Sequence, residues 1–139
     1  MDASPNLRES YLRIVFELEE EGILPLRARL AERLGRTAPT VSKNVGHLMA
    51  AGCARIGAAG EVELTREGRL IALRVIRRHR LVECLLIGAL GFEADLVDVE
   101  ASKLAHVITE RVERRLYEML GRPQMTPSGA RIPGLAELR

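Results

Sequence analysis

The feature that most constrains this 139-residue chain is the punctuation in its first third, Gly35-Arg36-Thr37-Ala38-Pro39, set between two short apolar-periodic runs. Glycine accepts the left-handed backbone that ends a helix, and threonine supplies a hydroxyl cap for the next one. Proline suits a first helical turn because its missing N–H had no helical acceptor there. The segment from Pro25 to Met49 therefore predicts helix, tight turn, helix. Leu26, Leu30, Ala31 and Leu34 line the first helix, and Val41, Val45 and Leu48 face inward on the second. Opposite them Thr40, Lys43, Asn44 and His47 stand three and four residues apart, which puts them on one exposed polar stripe.

The flanking sequence extends this pattern. Leu7, Tyr11, Ile14, Val15 and Leu18 mark a helix face that ends near Gly22. Two short strands, Ala54 to Gly57 and Glu61 to Leu64, surround the small-residue turn Ala58-Ala59-Gly60 and read as a wing. Thr65 caps a long helix through Leu70, Leu73, Ile76, Leu81, Leu85 and Leu90, with a polar interruption at Arg77-Arg78-His79-Arg80 and a stop at Gly91. One final helix is predicted from near Ala94 through Leu104, Val107, Ile108, Val112, Leu116 and Leu120, followed by an irregular Pro- and Gly-rich tail. The fold class is mainly α: a winged helix-turn-helix over residues 1–74, then an all-helical unit over 75–139 with that tail. Leu85, Leu86, Ile87, Leu90, Val107 and Ile108 would leave an apolar patch unless a second copy covered it, which predicts a twofold-symmetric homodimer.

Hydrophobic residues make up 47% of the chain and charged residues 29%, which excludes disorder and collagen-like repetition. With no apolar run long enough for a membrane span and no signal-peptide order at Met1-Asp2-Ala3-Ser4-Pro5, a soluble cytoplasmic protein with no membrane partner is expected. Cys53 and Cys84 lack CxxC spacing and read as small core residues. The net charge of +2 decides nothing, but its distribution does: Arg27, Arg29, Arg33, Arg36 and Lys43 face the single acid Glu32 between Pro25 and His47.

Helix-turn-helix spacing with a local basic excess points to double-stranded DNA, read by the second helix in a major groove. Arg27 and Arg29 would neutralise phosphates, Thr37, Thr40 and Ser42 would donate to them, and Pro39 would offer an apolar edge to a thymine methyl. Lys43 is the candidate for a guanine contact, with His47 one turn on along the same stripe. Ala31, Gly35 and Val41 occupy the contact between the two helices, where small residues let them cross closely.

A second constellation lies further along. His79 and Glu83 are four apart on one helix, and Asp98, Ser102 and His106 form an i, i+4, i+8 stripe on the last. Packed together, those helices would bring two imidazoles and two or three oxygens into a set suited to a divalent first-row metal. A zinc hydrolase is the enzyme reading of these residues, but there is no HExxH and no general base beside them, and phosphate loops and nucleophile elbows are also missing. No catalytic residue is assigned, and no enzyme activity is expected.

Along essentially its whole length, without gaps, the sequence resembles the iron- and manganese-dependent repressors typified by the diphtheria toxin repressor and the mycobacterial iron-dependent regulator. The resemblance is carried by Tyr11-Leu12-Arg13, Glu17-Leu18-Glu19-Glu20-Glu21-Gly22, Pro25-Leu26-Arg27-Ala28-Arg29, Ala31-Glu32-Arg33-Leu34, Pro39-Thr40-Val41-Ser42, His79-Arg80-Leu81, His106-Val107, Val112-Glu113-Arg114-Arg115-Leu116 and Ile132-Pro133-Gly134-Leu135. It implies a winged DNA-binding domain, a helical metal-binding and dimerisation domain, and repression of metal-uptake genes from a pseudo-palindromic operator when metal is plentiful.

The family's metal residues carry over unevenly. Its ancillary site implies ligands at His79, Glu83 and Asp98, the last in place of a histidine, holding Fe²⁺ or Mn²⁺, with Zn²⁺ as a further candidate. Its primary, regulatory site draws on a methionine or aspartate, a cysteine or glutamate, a second glutamate and a histidine. Those positions here hold Ser10, Ser102, Ala105 and His106, so that site should be empty, with His106 its remnant, and the metal response altered. Where the family's reading helix has a glutamine, this chain has Lys43, which favours guanine or phosphate and a changed operator. Longer members continue into an SH3-like domain about where Arg139 falls, so no such third domain is expected in this chain. The other readings are a DNA-binding paralogue that is metal-independent or answers another ligand, and a metal-binding dimerisation protein that does not read DNA.

Overall fold

The computed structural model describes residues 5–138 and divides into two compact units, Met1–Ala72 and Leu73–Arg139, the division falling inside a helix. The first unit contains α1 (Pro5–Glu20), α2 (Arg27–Leu34), α3 (Ala38–Ala50), a hairpin of β1 (Ala54–Ile56) and β2 (Val62–Leu64), and the start of α4 (Arg66–Cys84). Its core is Tyr11, Leu12, Val15 and Leu18 of α1, Leu30 of α2, and Val41, Val45 and Leu48 of α3, closed by Cys53, Val62 and Leu64. Of the expected inward residues, Tyr11, Ile14, Val15, Leu18, Leu30, Val41, Val45 and Leu48 are buried, and Leu7, Leu26, Ala31 and Leu34 half-buried.

The wing is an antiparallel pair in register Ala54↔Leu64, Arg55↔Glu63 and Ile56↔Val62. It is fastened on both sides. Val62 N donates to Pro25 O at 2.9 Å, ahead of α2. On the other side Thr65 Oγ1 donates to Gly52 O at 2.6 Å and accepts from Gly68 N at 3.1 Å, starting α4 as a cap. Gly68 is obligatory for a steric reason, since a Cβ there would lie 1.9 Å from the carbonyl oxygen of Cys53.

The second unit contains the rest of α4, a π-helical turn (Leu85–Ala89), α5 (Ala94–Ala105), α6 (Glu110–Met119) and a short 3₁₀ turn (Leu135–Leu138). The single final helix expected from sequence is in fact two. His106 closes α5 in a helical conformation, and Thr109 begins α6 by accepting a hydrogen bond from Val112 N at 3.2 Å. The acids Glu110 and Glu113 in the first turn of α6 also favour a start there. Leu81, Val82, Leu86, Val97, Ala101, Leu116 and Tyr117 form the core.

The polar run in α4 does not interrupt burial. Arg77, His79 and Arg80 are all buried, Arg77 to 2% exposure. Its guanidinium donates through Nε and Nη2 to the two carboxylate oxygens of fully buried Glu113, at 2.7 and 2.9 Å. Through Nη1 it donates to Gly134 O and to Glu137, both at 2.8 Å. Arg78 Nε adds an ion contact to Glu113 at 3.2 Å, and Arg80 donates to the carbonyl of Arg131. Burial works against the charge on Arg77, but its two carboxylate partners outweigh it and hold the guanidinium above its ordinary pKa. The hydrogen bond from Arg77 in turn draws Glu137 below the usual carboxylate range.

This clamp orders the tail. The segment after α6 is irregular, as expected, yet Thr126, Ile132, Leu135 and Leu138 are buried. The predicted apolar patch is smaller than expected. Leu86 belongs to the core, and Leu85, Ile87 and Ile108 pack half-buried against it. Of the six residues only Leu90 and Val107 are well exposed, at 57% and 69%, with Leu96, Val99 and Leu104 of α5 exposed besides. Among the described residues no helix is long and apolar enough to cross a membrane.

Candidate functional site

The helix-turn-helix is built by local chemistry. Gly35 takes φ +62° at the end of α2, where its N–H reaches Ala31 O. A Cβ on Gly35 would meet nothing within 4 Å, so the glycine serves the left-handed backbone; the expectation that it allows a close helix crossing is not met. Thr37 is extended and accepts from Thr40 N at 3.4 Å, while its hydroxyl donates to Thr40 Oγ1 at 2.9 Å. Pro39 stands in the first turn of α3, as its fixed φ favours.

The face of α3 beyond this cap is polar. Pro39, Ser42 and Lys43 are exposed, and Thr40 and His47 half-buried. The Nδ1 of His47 is buried with no hydrogen-bond partner among the described residues, so any contact made by this ring uses Nε2. On α2, Arg29 pairs with Glu32 at 3.4 Å and Arg33 with Glu21 at 2.8 Å. The second bond raises Arg33 and lowers Glu21. Arg27 is exposed with no ion-pair partner among the described residues. The basic excess of this segment is thus carried by Arg27, Arg36 and Lys43. Asn44 departs from the expected stripe: it is buried and donates through Nδ2 to the hydroxyl of Tyr11 at 2.9 Å.

In the second unit, α4 and α5 bring His79, Glu83 and Asp98 together, with one potential ligand atom from each lying within 4.8 Å of the others. Glu83 Oε1 stands 3.0 Å from His79 Nδ1, and Asp98 Oδ1 stands 3.5 Å from His79 Nε2. The two carboxylates approach different nitrogens of one imidazole, and a metal ion takes only one of these, so sharing an ion requires one carboxylate to swing to the other nitrogen's side by a rotamer change. Two carboxylates offset a divalent charge, and imidazole with oxygen suits manganese, iron or zinc. His79 is buried while Asp98 is 77% exposed, which leaves the site an open side.

The other expected site, at Ser10, Ser102, Ala105 and His106, offers few donors. Ser10 Oγ donates to Asn6 O at 2.9 Å within its own helix, and Ala105 presents only a buried methyl. Ser102 lies 3.4 Å from His79 Nε2 and so joins the first cluster. His106 caps α5 and is not part of that group. Oxygens of Glu83, Asp98 and Ser102 thus each approach the His79 ring. Burial and then the charge of Glu83 push the Cys84 thiol pKa up, and its Sγ lies 3.7 Å from the carbonyl oxygen of Met125. The i, i+4 spacing from Asp98 already puts Ser102 on that stripe of α5, and its hydroxyl lies beside the His79 ring.

Two family models match the chain. Residues 6–55 match the iron dependent repressor N-terminal DNA binding domain, and residues 65–134 match the iron dependent repressor metal binding and dimerisation domain. The iron-dependent repressor IdeR of Mycobacterium tuberculosis is 47% identical over 130 residues, covering 94% of this chain and 56% of that protein. The diphtheria toxin repressor of Corynebacterium efficiens is 46% identical with the same coverage of both chains. The chain thus spans little more than half the length of these relatives. Among solved structures, a manganese-dependent transcriptional repressor in complex with manganese matches with a TM-score of 0.86 at 36% identity, over 93% of this chain and 59% of that one. The manganese regulator SloR matches with a TM-score of 0.84 at 32% identity, over 95% and 61%.

Proposed function

Because this chain belongs to the iron-dependent repressor family, we propose that it is a homodimeric transcriptional repressor that reads a pseudo-palindromic operator with α3 and answers metal at His79, Glu83 and Asp98. The observation that carries the reading is the exposed face of α3, where a capped N-terminus is followed by Pro39, Ser42 and Lys43 in solvent. A helix presented in this way fits the major groove, its first residues on base edges and Arg27 and Arg29 on flanking phosphates. Thr37, Thr40 and His47 extend the same contact surface. The unit over residues 1–74 is the reader, and residues 75–139 hold metal and pair with a second copy. Exposed Leu90 and Val107, with their apolar neighbours on α5, support that pairing.

Manganese or iron, with zinc as a competent substitute, would sit between His79, Glu83 and Asp98, with Ser102 beside them. Bound there, it would supply positive charge shared between ligands of α4 and α5. The set Ser10, Ser102, Ala105 and His106 does not fit a second ion, because Ala105 has no donor and the Ser10 hydroxyl is spent within α1. What sets this chain apart from a two-site repressor is reliance on the one cluster.

Fluorescence anisotropy on palindromic duplexes, in chelator and then with Mn²⁺, Fe²⁺ or Zn²⁺, tests the proposal. Binding is expected to need metal and to be lost in His79→Ala. Lys43→Ala should lower discrimination at one base position by about 1–3 kcal/mol, while Arg27→Ala weakens all duplexes alike and reduces the salt slope by about one. Tight binding in chelator would remove metal from the mechanism, and intact dimers with no salt-dependent DNA binding would remove DNA.

A further inference from the structure

The buried bond between Asn44 and Tyr11 has no counterpart in the expected reading surface, and neither side chain touches solvent enough to meet a ligand. Its place in the helix gives it a use. Asn44 follows Lys43 directly, and its amide reaches inward across 33 residues of chain to a hydroxyl on α1. We infer that this hydrogen bond sets the rotation of α3 about its own axis, which makes Tyr11 and Asn44 positioning residues for base reading. The inference rests on the proposal that α3 reads duplex DNA.

The remaining inner contacts of α3 are Val41, Val45 and Leu48, each nearly or fully buried. Apolar packing of this kind is non-directional and tolerates small rolls of a helix as side chains readjust. A hydrogen bond is directional and fails within a few tenths of an ångström. Successive residues project about 100° apart around a helix, and a lysine tip lies roughly 8 Å from the axis. A roll of about 15° therefore carries the Lys43 ammonium about 2 Å sideways, far outside hydrogen-bonding tolerance for a base edge. Contacts to phosphates survive such a roll, because a mobile charge near a polyanion needs no fixed direction. The bond thus acts on discrimination and leaves general affinity untouched.

Two variants test this, on the duplex that the wild-type protein selects from a random palindromic library and on a scrambled duplex. Tyr11→Phe keeps the ring and deletes the hydroxyl. It is expected to lower the ratio of selected to scrambled affinity about tenfold, with an unchanged salt slope. Tyr11→Phe with Asn44→Leu removes both polar groups, so the unpartnered amide is gone and the melting temperature recovers, yet the ratio should stay low. An unchanged ratio in Tyr11→Phe, or a ratio that recovers with stability in the double variant, would overturn the inference. A wild-type protein that fails to distinguish the two duplexes would overturn the DNA-reading proposal itself, and this inference with it.

Discussion

Glu113→Ala should be the most damaging single truncation in the C-terminal unit. The carboxylate has no exposed area and takes two bonds from Arg77 at 2.7 and 2.9 Å, with Arg78 at 3.2 Å. Hydrogen bonds to charged groups contribute about 1.5–3 kcal/mol each, but the desolvation of both partners offsets much of that sum. The relevant quantity is the penalty for leaving the Arg77 guanidinium buried with only Gly134 O and Glu137 as partners, which for broken buried pairs is about 3–5 kcal/mol. At roughly 4 °C or more per kcal/mol for a small domain, the melting temperature should fall by at least about 12 °C. The comparator is Glu137→Ala, which removes a second carboxylate from the same guanidinium at 2.8 Å but at a side chain 53% exposed. Water replaces that partner, so the cost should be much smaller. Urea unfolding followed by circular dichroism measures both. Equal costs, or a Glu113→Ala cost under about 1 kcal/mol, would refute the claim that burial of the pair sets the penalty.

Gly68→Ala should destabilise the N-terminal unit by about 1–3 kcal/mol or more, because the new methyl meets backbone at Cys53. Gly46→Ala, in α3 with nothing within 4 Å of the new atom, should stabilise by about 0.5–1 kcal/mol, and thermal melts of the pair check the contrast. The depressed folded-state pKa of Glu137 sets a pH dependence. Its contribution is complete above the ordinary carboxylate pKa and is lost as pH falls through the lower folded value. Melting curves from pH 6 to pH 3 should therefore show a shallower acid limb in Glu137→Gln than in the wild type.

Much of this architecture is legible in sequence because short-range chemistry dictates it. Gly35, Thr37 and Thr65 act within one turn of the chain, and the structure uses each as its side chain requires. His79 and Glu83 are legible for the same reason, since four residues of helix bring them to one side. What depends on distant partners is not. Arg77, Arg78 and Arg80 look like a solvated interruption until Glu113, Gly134 and Arg131 arrive from more than thirty residues away. Asn44 looks like a surface residue until Tyr11 is opposite it. The break between α5 and α6 is hidden in the sequence because apolar spacing runs on through it, and only local signals, the Thr109 hydroxyl and the acids Glu110 and Glu113, mark the new start.

The clamp on α4 also fixes an order in time. The N-terminal unit, Met1–Ala72, makes its internal contacts from that stretch of chain. Arg77 waits for Gly134, 57 residues later, and Arg80 for the carbonyl of Arg131. Closing a loop of that length costs little more entropy than closing one half as long, but it cannot begin until the last residues of the loop exist. During synthesis α4 therefore emerges before the carbonyls that take up Arg77 and Arg80, while His79 already has Glu83 four residues on. The contacts of Arg77 and Arg80 to these carbonyls in the C-terminal unit can close only when residues 131–134 arrive.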